Sequence, residues 1–330
     1  MLLLGIETSC DETAAAIVRD DRAVLSSIVA SQVDIHAQWG GIVPEAAARM
    51  HVERVNPVIQ QALDTAGIGF DGIDAVAVTH RPGLVGALVV GMAAAKAISF
   101  ARKIPLVGVN HLAGHFYSPF LSAEPRFPCI ALIVSGGHTE LVYSKAPEKF
   151  QLIGQTLDDA AGEAFDKTAR LLGLGYPGGA ALSELAKQGD STQIKLPRAK
   201  LSTPFDFSFS GLKTAVLRYV QSAPKGFSKP DLCAALEMAI AEPLVSRTMA
   251  GAETYGVGTV TVSGGVSANR TLRSLMASAC EQNGFELLMP EPHYCTDNAA
   301  MIALAGWYRL QTHGPDDFDL DAYAYGDWSS

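Results

Sequence analysis

The sequence predicts an α/β protein built from two similar lobes. Three observations lead there. Apolar runs of strand length alternate with longer segments of helical spacing. A hairpin with a polar tip occurs twice, at residues 2–18 and again at 130–143, as an ancient duplication would leave it. The chain has 330 residues, 48% of them hydrophobic, which is enough for two large cores.

The elements follow in order. Residues 2–6 and 14–18 are apolar runs around the turn Glu7-Thr8-Ser9-Cys10-Asp11-Glu12-Thr13. Residues 45–66 carry apolar positions at helical spacing, and Gly67 is the stop. A short buried strand is expected at 75–79, an Ala-rich core helix at 84–101 and a strand at 106–109 that runs into His111. After the second hairpin, 158–172 reads as helix and 173–179 as a Gly-rich turn. Residues 193–209, with Pro197 and Pro204, read as an irregular exposed arm. A long helix is expected at 232–255, broken or kinked near Pro243. Strands at 258–262 and 287–289 flank a helix at 270–283. Thr296-Asp297-Asn298 caps a last helix over 299–310.

A formal charge of −9 excludes a self-sufficient nucleic-acid binder, because neutralising phosphates needs clustered Lys and Arg. Lys195, Arg198 and Lys200 form a small basic cluster in the arm, readable as a phosphate contact or as a solvated loop. Five dispersed cysteines without a Cys-x-x-Cys pair read as reduced thiols of a cytoplasmic protein. Met1-Leu2-Leu3-Leu4 meets Glu7 without a basic segment, so no signal peptide is expected. The apolar stretch 84–95 stops at Lys96, too short to span a bilayer, so no membrane partner is expected.

His111-Leu112-Ala113-Gly114-His115 is the sharpest chemical signal. Two histidines four apart stack on one helix face, and with a distant carboxylate they make a two-His, one-carboxylate metal set. Two half-exposed histidines at a helix start are the plainer alternative. Ser135-Gly136-Gly137-His138 and Ser263-Gly264-Gly265-Val266-Ser267-Ala268-Asn269 follow strands and either offer backbone N–H groups to phosphate oxygens or are ordinary tight turns. Gly173-Leu174-Gly175-Tyr176-Pro177-Gly178 spells G-x-G-x-x-G, but it follows a helix and holds a proline, so a dinucleotide site is excluded. Asp11 and Glu12 are either an acid–base pair or a solvated turn, and Asp166 either contacts ligand hydroxyls or is a surface carboxylate.

Together, the segments 5–13, 111–115, 134–139, 263–269 and 296–298 resemble the TsaD/Kae/Gcp family of tRNA N6-adenosine threonylcarbamoyltransferases, once called O-sialoglycoprotein endopeptidases. The resemblance runs nearly end to end and looks bacterial. It implies an actin/sugar-kinase/Hsp70-like (ASKHA) fold with a nucleotide cleft, divided as 1–108 plus about 299–330, and 109–298. It implies one divalent metal ion, Fe2+ or Zn2+, on His111, His115 and Asp297. It implies threonylcarbamoyl-AMP contacts at Val134, Ser135, Gly136, Gly137, His138, Asp166, Gly179 and Asn269. It further implies tRNA as acceptor, a TsaB-like paralogue as dimer partner and a TsaE-like ATPase.

The reaction so implied moves threonylcarbamoyl to N6 of the adenosine 3′ of the anticodon, with Asp11 or Glu12 orienting or deprotonating the amine. Three alternatives stand beside it: a metalloprotease, a small-molecule kinase and a non-enzymatic nucleotide-binding scaffold. The protease is disfavoured because Leu112-Ala113-Gly114 puts no carboxylate between the histidines.

Overall fold

The computed structural model describes residues 1–20, 22–222 and 226–328. The chain divides into two compact units, Met1–Pro125 with Pro290–Ser330, and Arg126–Met289. These divisions fall after 125 and 289, whereas the family resemblance led to divisions after 108 and about 298. The segments that carry His111, His115 and Asp297 therefore all belong to the first unit.

In the first unit β1 (Leu2–Glu7), β2 (Glu12–Arg19) and β3 (Val24–Ser31) form an antiparallel meander. Helices α1 (Val33–Ala37) and α2 (Pro44–Ala66) follow. Then come β4 (Ala75–Arg81), α3 (Val85–Arg102), β5 (Leu106–Asn110) and α4 (His111–Tyr117). Strand β4 runs parallel to β1, and β5 parallel to β4, giving the order β3-β2-β1-β4-β5.

The second unit repeats the plan. β6 (Cys129–Val134), β7 (Thr139–Ser144) and β8 (Phe150–Gln155) are an antiparallel meander. Helices α5 (Ala161–Leu171), α6 (Gly178–Ala186), α7 (Ser210–Ser222) and α8 (Lys229–Tyr255) come next. β9 (Thr259–Ser263), α9 (Arg270–Asn283) and β10 (Glu286–Leu288) complete it. β9 lies parallel to β6 and β10 parallel to β9, so the order β8-β7-β6-β9-β10 matches the first sheet strand for strand. The duplication read from the two hairpins extends to the whole sheet. Helix α10 (Ala299–His313) then returns to the first unit.

Period-two alternation sorts the first sheet's side chains into two layers. Leu4, Ile6, Ala15, Ile17, Val76 and Val78 join the core under α2 and α3. Leu3, Ala14, Ala16, Val18 and Ala75 face α10. The α10 side is rich in small residues because the helix lies close: a Cβ on Gly5 would sit 2.1 Å from the Ala299 carbonyl oxygen. Helix α3 is apolar and long enough to cross a membrane, yet its Ala87, Leu88, Met92 and Ala95 face is buried, and it packs on β4 and α2.

The C-terminal residues run back over β4 and β5. The Gly108 N–H donates to Asp316 Oδ2 (2.8 Å), Lys96 Nζ to the Leu320 carbonyl (2.6 Å) and the Tyr323 N–H to the His80 carbonyl (3.0 Å). Asn110 Nδ2 reaches the Asp327 carbonyl at 3.0 Å.

Several expectations are corrected. Helix α8 runs unbroken through Pro243. The turn at 173–179 ends inside α6, whose first residues are Gly178 and Gly179. The arm at 193–209 has no regular structure but is anchored, not exposed throughout. Ile194, Leu196, Phe207 and Phe209 are buried, and Phe207 bridges to Thr156.

Candidate active site

In the first unit, β5 delivers the chain directly into α4. Asn110 caps that helix, its Oδ1 accepting from the Leu112 N–H at 2.8 Å. His111 and His115 then meet edge to face one turn apart, ring centroids 4.7 Å apart. Asn298 caps α10 through Met301 N–H (2.9 Å) and so fixes the residue before it, Asp297. Asp297 Oδ1 lies 3.6 Å from His111 Nε2 and 3.1 Å from His115 Nε2. One ligand atom from each of the three lies within 4.8 Å of the other two.

This arrangement fits a cation better than it fits hydrogen bonding. His115 is fully buried, and neither ring nitrogen makes a hydrogen bond, although Nε2 approaches Asp297 closely. Such an orphaned buried group is costly unless something else satisfies it. Two imidazole nitrogens and a carboxylate oxygen form the donor set of zinc or non-haem iron, with coordination positions left over.

Glu7 was not singled out in the sequence, yet it organises the site. It is wholly buried and accepts from the Ser9 N–H and from Thr79 Oγ1, each at 2.5 Å. Its Oε2 lies 3.2 Å from His111 Nδ1. Burial opposes its ionisation, but the facing His111 ring holds the carboxyl below its ordinary value. For His111, burial opposes protonation, while Asp297 and Glu7 outweigh it and push the ring up to about 9. A carboxylate on Nδ1 fixes the tautomer that leaves Nε2 for the metal. The only sequence signal for Glu7 was its place as the first charged residue after the apolar run of β1.

The hairpin tip places Asp11 and Glu12 beside this cluster. Asp11 is buried, and its carbonyl accepts from the Gln32 N–H at 3.1 Å. Glu12 accepts from Ser31 Oγ at 3.1 Å. Burial first, then the charges of Asp297 and Asp11, push Glu12 up to about 9. His51 steadies the tip, with Thr13 Oγ1 at 2.8 Å and the Cys10 carbonyl at 3.0 Å.

The second unit gathers the other expected residues at the ends of β6 and β9. Val134 is buried at the end of β6, and Ser135-Gly136-Gly137-His138 forms a tight turn. The Ser135 N–H donates to the His138 carbonyl (2.8 Å) and the His138 N–H to Ser135 Oγ (3.1 Å). Those two donors are spent, so Gly136 and Gly137 are left to present theirs, and a Cβ on either would meet open space. Gly264 takes φ +90° where its Cα lies against Val134, a conformation and a closeness that only glycine accepts.

Asp166 and Gly179 meet directly: the Gly179 N–H donates to Asp166 Oδ1 at 3.1 Å, which caps α6. Burial raises the Asp166 pKa, opposed by the Gly179 and Gly178 N–H groups. Asn269 caps α9 through Oδ1 to the Leu272 N–H (2.9 Å). Its Nδ2 donates to Glu237 Oε1 (2.6 Å) and Ser183 Oγ (2.9 Å), and Thr271 holds the other Glu237 oxygen (2.7 Å). Only a second lone pair on Oδ1 remains for a ligand. Arg198 of the basic arm turns inward, its Nε and Nη2 both on Glu242 Oε2 at 2.9 and 2.7 Å.

Comparison with known proteins shows the family and the fold. The family model described as TsaD, tRNA N6-adenosine threonylcarbamoyltransferase, matches residues 23–304. A protein of that name from Symbiobacterium thermophilum is 54% identical, over 97% of this chain and 95% of its own. One from Geobacter metallireducens is 53% identical, over 98% and 96%. Two solved structures share the fold at low identity. HypF from T. kodakarensis has TM-score 0.66 and 15% identity, over 94% of this chain and 48% of its own. Component A of Acidaminococcus fermentans (R)-2-hydroxyglutaryl-CoA dehydratase has TM-score 0.56 and 17% identity, over 94% and 100%. The two matched sheets are those of the actin/sugar-kinase/Hsp70-like architecture. The chain belongs to the family of tRNA N6-adenosine threonylcarbamoyltransferases, acyltransferases that modify adenosine in tRNA.

Proposed function

We propose that this chain carries out its transfer with threonylcarbamoyl-AMP as donor and one divalent cation, Fe2+ or Zn2+, on His111, His115 and Asp297. The observation that carries the reading is the convergence of those three side chains, with Glu7 behind His111 and both His115 nitrogens lacking a hydrogen bond. When bound, the cation supplies Lewis acidity toward oxygens of the donor.

The chain's own residues do the rest. The Gly136 and Gly137 N–H groups hold donor oxygens, and Val134, Ser135 and His138 shape that turn. Asp166 with Gly179, and Asn269, hold the nucleoside. The N6 nitrogen forms a bond to the carbamoyl carbon while the bond from that carbon to the phosphate oxygen breaks. AMP leaves with the electron pair. Asp11 takes the proton of the amine, and Glu12, its carboxyl pushed up to about 9 and so protonated at neutral pH, orients it. The target base lies in a single-stranded loop of the tRNA and is splayed out at little cost.

The net charge of −9, with Arg198 engaged by Glu242, supports dependence on a TsaB-like partner and a TsaE-like ATPase. A tRNA acceptor supports a cytoplasmic reaction. The test is elemental analysis and single-turnover transfer on His111→Ala/His115→Ala. Metal and activity should fall together. Full metal occupancy in that variant would move the centre elsewhere.

A further inference from the structure

We propose that the groove between α9 and β10 is a docking site for the sugar–phosphate backbone of the tRNA substrate. It is an open groove of about 700 Å³ lined by Arg270, Arg273, Ser274, Ala277, Leu287 and Met289. The first four are one face of α9 at helical spacing. Leu287 lies in the edge strand β10 and Met289 just beyond it, and together they form a half-buried apolar floor.

Four features point to a polyanion. Arg270 is exposed and forms no ion pair among the described residues. Arg273 is oriented by a bond from its Nη1 to the Ser267 carbonyl at 3.2 Å, so its charge is held in place. The first turn of α9 has no acidic residue, and two cations sit where the helix dipole disfavours them. A local choice that works against stability in this way marks a functional surface. The nearby acid Glu286 is turned to Arg126 at 3.6 Å, and Glu281 lies two turns further along α9.

The shape selects RNA over a lone phosphate. The groove is too large and open for one small anion, and two arginines one turn apart match a backbone better than a point. Leu287 and Met289 offer apolar surface to a ribose or base face, and Ser274 adds a hydroxyl for a phosphate oxygen or a 2′-OH. In a chain of charge −9, a local cationic groove is how an RNA substrate can be held. The proposal rests on tRNA being the substrate.

The test uses the full chain in the assembly that supports turnover. Arg270→Glu removes one phosphate contact, and Ala277→Glu adds a repelling charge while breaking no existing hydrogen bond. Each should raise KM for tRNA about tenfold with little change in kcat, and Arg270→Glu should lower the slope of log affinity against log salt by about 0.7–0.9. Metal content and affinity for a non-hydrolysable adenylate analogue, measured on the same variants, should stay at wild-type levels. They report on the site described above, so its failure is read separately from failure of the groove. Unchanged KM and salt slope in both variants would overturn the proposal. So would a matching loss of adenylate-analogue affinity, which would assign the groove to the donor instead.

Discussion

At the scale of single residues, the decisive interaction is the one between Glu7 and His111. An imidazole that ligates through Nε2 needs its other nitrogen protonated, and Glu7 is the acceptor that keeps the proton there. Glu7→Gln keeps the volume but removes the charge, and its amide can turn to offer either end. Metal affinity should drop about 10–100-fold, as read by competition with a chelator, while the helix content stays the same. Wild-type affinity in this variant would reduce Glu7 to a packing residue. His80 supports a second prediction at this scale. Burial, then the charges of Arg81 and Arg309, lowers its pKa from 6.5 to about 4. The unfolded chain therefore takes up the proton first as pH falls. Stability should decline between pH 6.5 and about 4, by about 3 kcal/mol in all, and flatten below. His80→Gln should blunt that decline in urea titrations at a series of pH values.

At the scale of elements, close packing of α10 on β1 sets the position of Asp297. Gly5→Ala would press a methyl onto the Ala299 carbonyl, a backbone atom that cannot rotate away. The expected cost is about 3 kcal/mol in chemical denaturation, together with weakened metal binding because α10 starts two residues after Asp297. A thermally neutral Gly5→Ala would mean that the helix can shift freely. Asp158 does similar work for α7, receiving bonds from the Phe209 and Ser210 N–H groups at 2.7 and 3.1 Å and from two serine hydroxyls. Asp158→Ala should cost about 1–2 kcal/mol and loosen the segment before α7, seen as faster amide exchange at residues 205–212.

The same elements show what could be read in advance. The hairpins, α2 with its Gly67 stop, and the capped α10 were legible because apolar periodicity and capping residues act locally. The strands β3 and β8 were not, since Val24–Ser31 and Phe150–Gln155 mix polar and apolar residues at a sheet edge. Helix α7 begins without a capping residue of its own, because its cap, Asp158, lies far back in the sequence. The spacing of the His pair puts both rings on one face of α4, but spacing alone leaves open whether they meet a carboxylate. Glu7 and Glu237 were not, because what defines each is a partner across the fold.

At the scale of the whole molecule, the two sheets repeat one strand order, yet each unit has been given different chemistry. The first holds the His111, His115 and Asp297 cluster, and the second holds bare glycine turns and capped helix starts. The tail from 314 to 328 belongs to this account too, since it bonds along β4, β5 and the capping residue of α4. A chain ending at residue 314 should lose several degrees of thermal stability and bind metal more weakly. Unaltered metal affinity would show that the tail serves the sheet alone.

The three proposed metal ligands are also far apart in time. His111 and His115 leave the ribosome early, and Asp297 follows only after all of Arg126–Met289 has been made. The three can therefore meet only after that whole unit has been made. A chain cut short before Asp297 has the two histidines without the carboxylate that approaches them and, on the metal proposal, should bind the ion more weakly. If the three hold an ion as proposed, firm loading must wait until the second unit has been made.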